Sequence, residues 1–344
     1  MKKVKINFVG CDEKFNKQDN LIYTVLTANG YDVEISDEPD YIVCICDYWE
    51  DTPYEYCKYP QVRIMHSGEN YIPDFNLIDY AISPYPIQFG DRNFYLPTCV
   101  CPGEHWHALP EKNRDYPDAA LKDKIYFANF IAGHESEGNI RGDFFKKLCQ
   151  YKRVESPGSY LNNMPGGAVV DWLDGSKTEF QRKCKFTLCF ESTLHYGFVT
   201  EKIMDAFYAD TIPVYYGSPT VTDIFNKDAF INCTDYPSFD AVIEKIKELD
   251  QDDEKYLQML RQPILVNPDY PRELEEALGK YICSIFDQPL ETAYRRSRVY
   301  LPQRCNDFLV RAVDSDTLTL GNLTKRILNK IRNKVFNQIS EKQK

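Results

Sequence analysis

Residues 185–219 read KFTLCFESTLHYGFVTEKIMDAFYADTIPVYYGSP, and no other stretch limits the fold as tightly. Two apolar runs, KFTLCFES (185–192) and TIPVYYGSP (211–219), have the length and residue types of strands and end in Glu-Ser and Gly-Ser-Pro. Between them, TEKIMDAFYAD (200–210) puts Ile203, Ala206 and Phe207 at helical spacing, with Thr200 as the expected cap. Strand, helix and strand in this order form a βαβ unit with two parallel strands. A parallel sheet must be covered on both faces, so the rest of the chain has to supply further units of the same kind.

The chain does supply them. KVKINFVG (3–10), DYIVCICD (40–47), QVRIMHSG (61–68) and NLIDYAIS (76–83) are strand-like runs ended by Gly, Asp or Ser. Asp19-Asn20 can cap a helix through Ala28, with Gly30 behind it as a stop. A polar stretch with two prolines, His107–Asp118, reads as a linker. The pattern then restarts with KIYFANFIAG (124–133) as a strand and IRGDFFKKLCQYK as a helix. AVIEKIKELD (241–250) and the stretch around Arg272–Phe286 read as further helices. The expected fold class is α/β, two Rossmann-like domains, divided as residues 1–118 (linker 107–120), 121–300 and a C-terminal segment 301–344.

Composition removes several classes of function. The chain is 43% hydrophobic and 27% charged, as ordinary globular domains are. A net charge of −11 argues against nucleic acid as partner, because phosphate neutralisation needs a basic face. No apolar run approaches the ~18 residues of a membrane span, and the basic start MKKVKINFVGCDEK carries too short an apolar stretch for a signal peptide. The expected setting is the cytoplasm. Twelve cysteines without a CxxC read as reduced core residues, and His105-Trp-His107 is the only spacing that hints at a metal. Val9-Gly10-Cys11 does not continue into GxGxxG, which excludes a nicotinamide-dependent dehydrogenase. From Asn322 on there are seven basic residues against one acid, with Leu323, Ile327, Ile331, Val335 and Ile339 at every fourth position. Such a basic amphipathic helix suits the anionic inner face of a membrane, or docks on the acidic body of the protein.

Ligands of open α/β sheets sit at the carboxyl ends of strands, in front of helix N-termini. Glu201 and Lys202 fall in the first turn of such a helix. There Lys202 adds a point charge where backbone N–H groups already favour phosphate, and Glu201 can accept from sugar hydroxyls. The same two residues also fit a plain surface turn, in which Glu201 complements the helix dipole and Lys202 is solvated. Tyr71, Trp49 and Trp106 in the first half are candidates for stacking against a sugar ring.

This block resembles the signature of the α1,3/4-fucosyltransferases, glycosyltransferase family 10, of bacterial type. The matching stretches are Cys189-Phe190-Glu191-Ser192, Phe198-Val199-Thr200-Glu201-Lys202 and Ile212–Pro219. HSGENYIPDFNLIDYAIS (66–83), the strand–helix segment 129–158 and SYLNNMPGG (159–167) resemble the family in the same order. Two positions depart from it: Ser192 stands where the family has Asn, and Phe198 where it has Tyr. The heptad repeats of some bacterial members are absent.

The resemblance implies a GT-B architecture with an acceptor domain and a donor domain facing across a cleft. It implies GDP-β-L-fucose as donor and transfer with inversion to O3 of an N-acetylglucosamine in a Lewis-type or lipopolysaccharide glycan, with no cofactor or metal. It makes Glu69 the general base and Arg141 a phosphate contact, and it places Ser192, Phe198, Glu201 and Lys202 at the donor. Glu191 and His195 are further candidates within the signature. A catalytically silent relative that binds glycan or nucleotide, or a transferase for another GDP-sugar, fits the same motifs.

Overall fold

The structure, a computed structural model, describes residues 2–11, 14–45, 54–100, 104–112, 115–171 and 175–314. Trp49 and the basic stretch 322–344 lie outside the described residues. The chain forms two compact units: residues up to Tyr95 together with Ala277 onward, and Leu96–Glu276.

The first unit holds a six-stranded parallel sheet in the order β2-β1-β3-β4-β5-β6. Its strands are β1 (Lys2–Val9), β2 (Tyr31–Ile35), β3 (Tyr41–Ile45), β4 (Val62–His66), β5 (Tyr80–Ser83) and β6 (Asn93–Tyr95). All five residues of β3 and all four of β5 are buried, as strands covered on both faces must be. Helix α1 (Leu21–Ala28) starts where expected, because the Asn20 side chain accepts from the Tyr23 N–H at 3.1 Å. Strands β2 and β6, where no strand was expected, lie at the two sheet edges and are only half-buried, so their sequences lack a continuous apolar run.

The second unit holds a five-stranded parallel sheet in the order β11-β10-β9-β7-β8. Its strands are β7 (Tyr126–Asn129), β8 (Val154–Glu155), β9 (Cys184–Phe190), β10 (Ile212–Tyr216) and β11 (Ile231–Asn232). The βαβ unit of 185–219 forms as its pattern requires, with Leu188 opposite Val214 in the β9–β10 register. Helices α2 (Ile140–Leu148), α3 (Glu201–Tyr208) and α4 (Phe239–Gln251) pack on this sheet through Phe144, Ile203, Phe207 and Ile246, each no more than 1% exposed.

Two boundaries differ from expectation. The expected linker 107–120 belongs to the second unit, because Trp106 and Leu109 are fully buried in its core beside Ile203 and Phe207. Helix α5 (Tyr270–Asp287) begins in the second unit, and from Ala277 on the chain belongs to the first. The residues after 300 are not a separate described segment: helix α6 (Tyr300–Asp314) docks on the first unit through Leu309, Val310 and Asn306.

Asp79 ties that return to the sheet. Its carboxylate is fully buried, accepts from the backbone N–H groups of Arg63, Arg295 and Arg296 at 2.7–2.8 Å, and pairs with the Arg296 guanidinium at 2.8 Å. Arg63 donates in turn to the Tyr59, Leu77 and Cys57 carbonyls and to Asn306 of α6. The cysteines Cys57 and Cys184 are buried and free, with thiols pushed up by burial to about 11 and about 12. Replacing Asp79 by Ala leaves a guanidinium and three N–H groups buried without their acceptor. We expect Asp79→Ala to lower unfolding stability by about 3–5 kcal/mol, read as the midpoint of chemical denaturation. Asp79→Asn, which keeps one acceptor oxygen, should lose less.

Candidate functional site

In the second unit the chain leaves β7 toward β8 on one side and leaves β9 toward β10 on the other. The loops after β7 and β9 therefore diverge and open a crevice at the carboxyl ends of those strands, the place where α/β sheets bind ligands. The loop after β7 leads into α2 with Arg141, and the loop after β9 carries Glu191 and Ser192. Arg141, Glu191 and Ser192 line one cavity of about 190 Å³ with Ser136, Ile140 and Tyr216.

Gly138 and Asn139 have left-handed backbones, with φ of 69° and 58°, and turn the loop sharply into α2. Arg141 in that first turn is 2% exposed, and its Nε and Nη2 are buried with no hydrogen-bond partner. Buried guanidinium donors are normally satisfied, and two unsatisfied donors on one planar fork match the spacing of carboxylate or phosphate oxygens. A cation gains nothing from a helix N-terminus by itself, whereas an anion there meets both the dipole and the guanidinium. The Tyr160 ring stands 5.9 Å from the guanidinium carbon, and its hydroxyl donates to Asn139 Oδ1 at 2.9 Å. Burial pulls the Arg141 pKa down, opposed by Tyr160, Glu135 and Glu191.

Glu191 follows β9 and is 3% exposed. Its two oxygens accept from the Thr200 N–H at 2.8 Å and the Thr200 hydroxyl at 2.7 Å. Thr200 occupies the N-cap position of α3, but its side chain does not cap the helix, because its hydroxyl is committed to Glu191. The Lys202 ammonium donates to Thr200 Oγ1 at 2.9 Å and lies 3.4 Å from both Glu191 Oε2 and Glu201 Oε1. Burial raises the Glu191 carboxyl, and Lys202 works against that rise. Burial would also raise Glu201, but Lys202 and Lys177 outweigh it and hold the carboxyl at about 2. Glu201 is therefore ionised throughout the physiological range, and Lys202, raised by Glu201 and Glu191 against burial, is a fixed cation.

Ser192 lines the cavity. Phe198 does not: it is 3% exposed and outside the cavity lining, so its ring offers no free stacking face. His195 is exposed in the same loop. In the first unit, Glu69 lies just beyond the carboxyl end of β4, half-buried, with its backbone N–H donating to Ser67 Oγ at 3.2 Å and its carbonyl accepting from the Tyr71 N–H at 2.7 Å. Tyr71 is half-buried beside it, and its hydroxyl lies 3.5 Å from that of Tyr56. Trp106 is not a stacking residue, because it is fully buried in the second unit. His105 stacks on Tyr208 and His107 pairs with Glu275, so these two histidines serve different neighbours. Among the described residues no three His, Cys, Asp or Glu side chains converge to hold a metal ion.

Three features of the site were not anticipated. Tyr160 backs Arg141. His134 lies in the field of Arg141 and Lys202, and burial and then those two cations lower its pKa, which keeps the ring neutral at pH 7. Gly217 lets β10 end against Glu191: a Cβ there would collide with Glu191 Cγ and the Tyr215 hydroxyl. The readable signal was the position of His134, in the first loop after a strand and before a helix.

Comparison with known proteins agrees with this geometry. The model described as "Glycosyltransferase family 10 (fucosyltransferase) C-term" matches residues 121–294, and that of the "Alpha-(1,3)-fucosyltransferase FucT N-terminal domain" matches residues 6–101. Alpha-(1,3)-fucosyltransferase FucT of Helicobacter pylori is 35% identical over 227 residues, which cover 58% of this chain and 46% of that protein. Putative fucosyltransferase R654 of Acanthamoeba polyphaga mimivirus is 31% identical over 159 residues, covering 44% of this chain and 26% of that protein. The chain thus spans less than half the length of either relative. A crystal structure of an alpha1,3-fucosyltransferase with GDP-fucose superposes with a TM-score of 0.64 at 26% identity, covering 84% of this chain and 93% of the other. With matches on both of its parallel α/β units, the chain has a GT-B fold and belongs to glycosyltransferase family 10, the fucosyltransferases.

Proposed function

We propose that this protein transfers L-fucose from GDP-β-L-fucose to O3 of an N-acetylglucosamine in a glycan, with inversion at the fucose anomeric carbon. The observation that carries the reading is Arg141: a buried guanidinium with two unsatisfied donors, lining the cavity at the switch point of the second unit. A nucleoside diphosphate supplies oxygens for those donors; the Lys202 ammonium, paired with Glu191 and Glu201, reaches a phosphate only by exchanging one of those carboxylates for it.

In inverting transfer the acceptor oxygen attacks the anomeric carbon as the bond to the diphosphate breaks. The departing diphosphate gains negative charge, which Arg141, Lys202 and the N-terminus of α2 are suited to stabilise. Ionised Glu201 is suited to accept from sugar hydroxyls, and Ser192 can donate one hydrogen bond from the cavity wall. Glu69 takes the proton of the acceptor hydroxyl in this reading. Glu191 acts through Thr200 and Lys202, holding both in place. In this reading the chemistry uses side chains and a helix terminus, and no cofactor or metal takes part.

The primary test is calorimetry with GDP-fucose against GDP-mannose, followed by mass analysis after N-acetyllactosamine is added. We expect selective binding and a product heavier by one deoxyhexose; binding without product on any glucosamine-containing acceptor would make the chain a silent relative. Arg141→Lys should weaken GDP-fucose binding at least tenfold, about 1.4 kcal/mol, because an ammonium cannot replace the fork. Glu69→Gln should leave donor affinity within about twofold while lowering kcat by roughly 10²-fold or more. Unchanged turnover in that variant would remove Glu69 as the base.

A further inference from the structure

The motif SYLNNMPGG (159–167) contributes nothing to the lining of the Arg141 cavity, yet it forms a closely braced loop beside it. Asn163 closes that loop: its Oδ1 accepts from the Ser156 N–H and its Nδ2 donates to the Val154 carbonyl, both at 2.8 Å. The Ser156 hydroxyl donates to the Tyr160 carbonyl at 3.2 Å, and Asn162 donates to the Gly158 carbonyl at 2.9 Å. Leu161 is held with a φ of 51°, a conformation that such a side chain adopts only where its surroundings over-determine it. What this bracing fixes in space is the phenol of Tyr160.

The loop is tied to the segment that runs from β7 to α2. The Tyr160 N–H donates to the Ala132 carbonyl and the Ser159 hydroxyl to the Gly133 carbonyl, each at 2.9 Å. Gly158 has no room for a side chain there, because a Cβ would strike the Ala132 backbone. From this anchor the Tyr160 hydroxyl donates to Asn139 Oδ1 at 2.9 Å, and Asn139 Nδ2 donates in turn to Asp143 Oδ1 at 3.0 Å. Asn139 and Asp143 bracket Arg141 in sequence, and the Tyr160 ring lies 5.9 Å from the guanidinium carbon. Gly142 completes the clasp: a Cβ on it would lie 2.5 Å from both Asn139 Oδ1 and the Tyr160 hydroxyl. Arg141 Nε and Nη2 have no hydrogen-bond partner, so no bond of theirs orients the fork and its surroundings must.

We propose that Tyr160 is a positioning residue: its hydroxyl, through Asn139, fixes the first turn of α2 so that the Arg141 fork is already aimed when a diphosphate arrives. This rests on the reading of Arg141 as the diphosphate contact. Aiming the fork in advance strengthens binding, because the side chain's freedom is lost on folding and not again on binding. Tyr160 lies outside the cavity lining, so its effect on the donor passes through Arg141.

The test is a double-mutant cycle on the full chain, read by calorimetry with GDP. Tyr160→Phe, which keeps the ring and deletes the hydroxyl, should weaken GDP binding about fivefold, the size of one neutral hydrogen bond. Asn139→Gly, which keeps the left-handed backbone and deletes the amide, should weaken it to a similar extent, and the two together no more than either alone. Gly142→Ala deletes nothing and suits a helix better, yet it should lose affinity as well, because it forces Tyr160 and Asn139 apart. In an Arg141→Lys background, Tyr160→Phe should change GDP affinity by less than about twofold, since the group it aims is gone. An equal loss in both backgrounds would mean that Tyr160 meets the ligand itself or only stabilises the fold, and would overturn the proposal. Full GDP affinity in Tyr160→Phe would overturn it too. Failure of the underlying reading looks different: if wild type does not bind GDP, or if Arg141→Lys binds it as tightly as wild type, Arg141 is not the diphosphate contact and the proposal falls with it.

Discussion

A carboxylate buried at the carboxyl end of β9 organises the second unit. Glu191 is ionisable and almost fully buried, and a charge in that position persists only if donors converge on it. The structure brings three: the Thr200 N–H, the Thr200 hydroxyl and the Lys202 ammonium. Those contacts fix the first turn of α3 against the end of β9. They also leave the Lys202 ammonium between two carboxylates, where its charge is locked. Gly217 is required because β10 must close on the same carboxylate without a side chain in the way.

Arg141 shows the opposite arrangement in the neighbouring loop. Glu191 has its partners inside the protein, whereas Arg141 has two donors without any. Its surroundings, an aromatic ring and a tight left-handed turn, orient the guanidinium and do not neutralise it. One charged group is thus saturated and structural, and the other keeps two buried donors unsatisfied. The contrast separates two residues that, as charged positions in a motif, look equivalent.

Much of this was legible in sequence because central strands of parallel sheets are continuous apolar runs. Strands β3, β4, β5, β7 and β10 fall within runs read from the sequence, β1 and β9 begin one residue before theirs, and α3 buries Ile203, Ala206 and Phe207 as its spacing requires. Edge strands β2, β6, β8 and β11 carried no such signal, being short or half-exposed. The division into units was misread for a related reason. Proline and charge between 107 and 118 look like a linker, yet Trp106 and Leu109 are anchored in the core of the second unit. Long-range ties such as Asp79 to Arg296 have no local pattern at all.

At the site, the sequence by itself determined which residue types stand at strand ends and helix starts, because period and punctuation place Glu191, Glu201, Lys202 and Arg141 there. Only the tertiary structure decided what each one does. Whether a hydroxyl caps a helix or binds a buried carboxylate, as for Thr200, depends on which strand end lies beside it. Whether an aromatic ring is a platform or core, as for Phe198 and Trp106, depends on what covers it. Whether a guanidinium is paired or poised depends on the groups that distant segments bring within about 3 Å. Periodicity encodes which way a side chain faces, but partners come from packing between segments far apart in the chain, and that is settled only when the sheet is assembled.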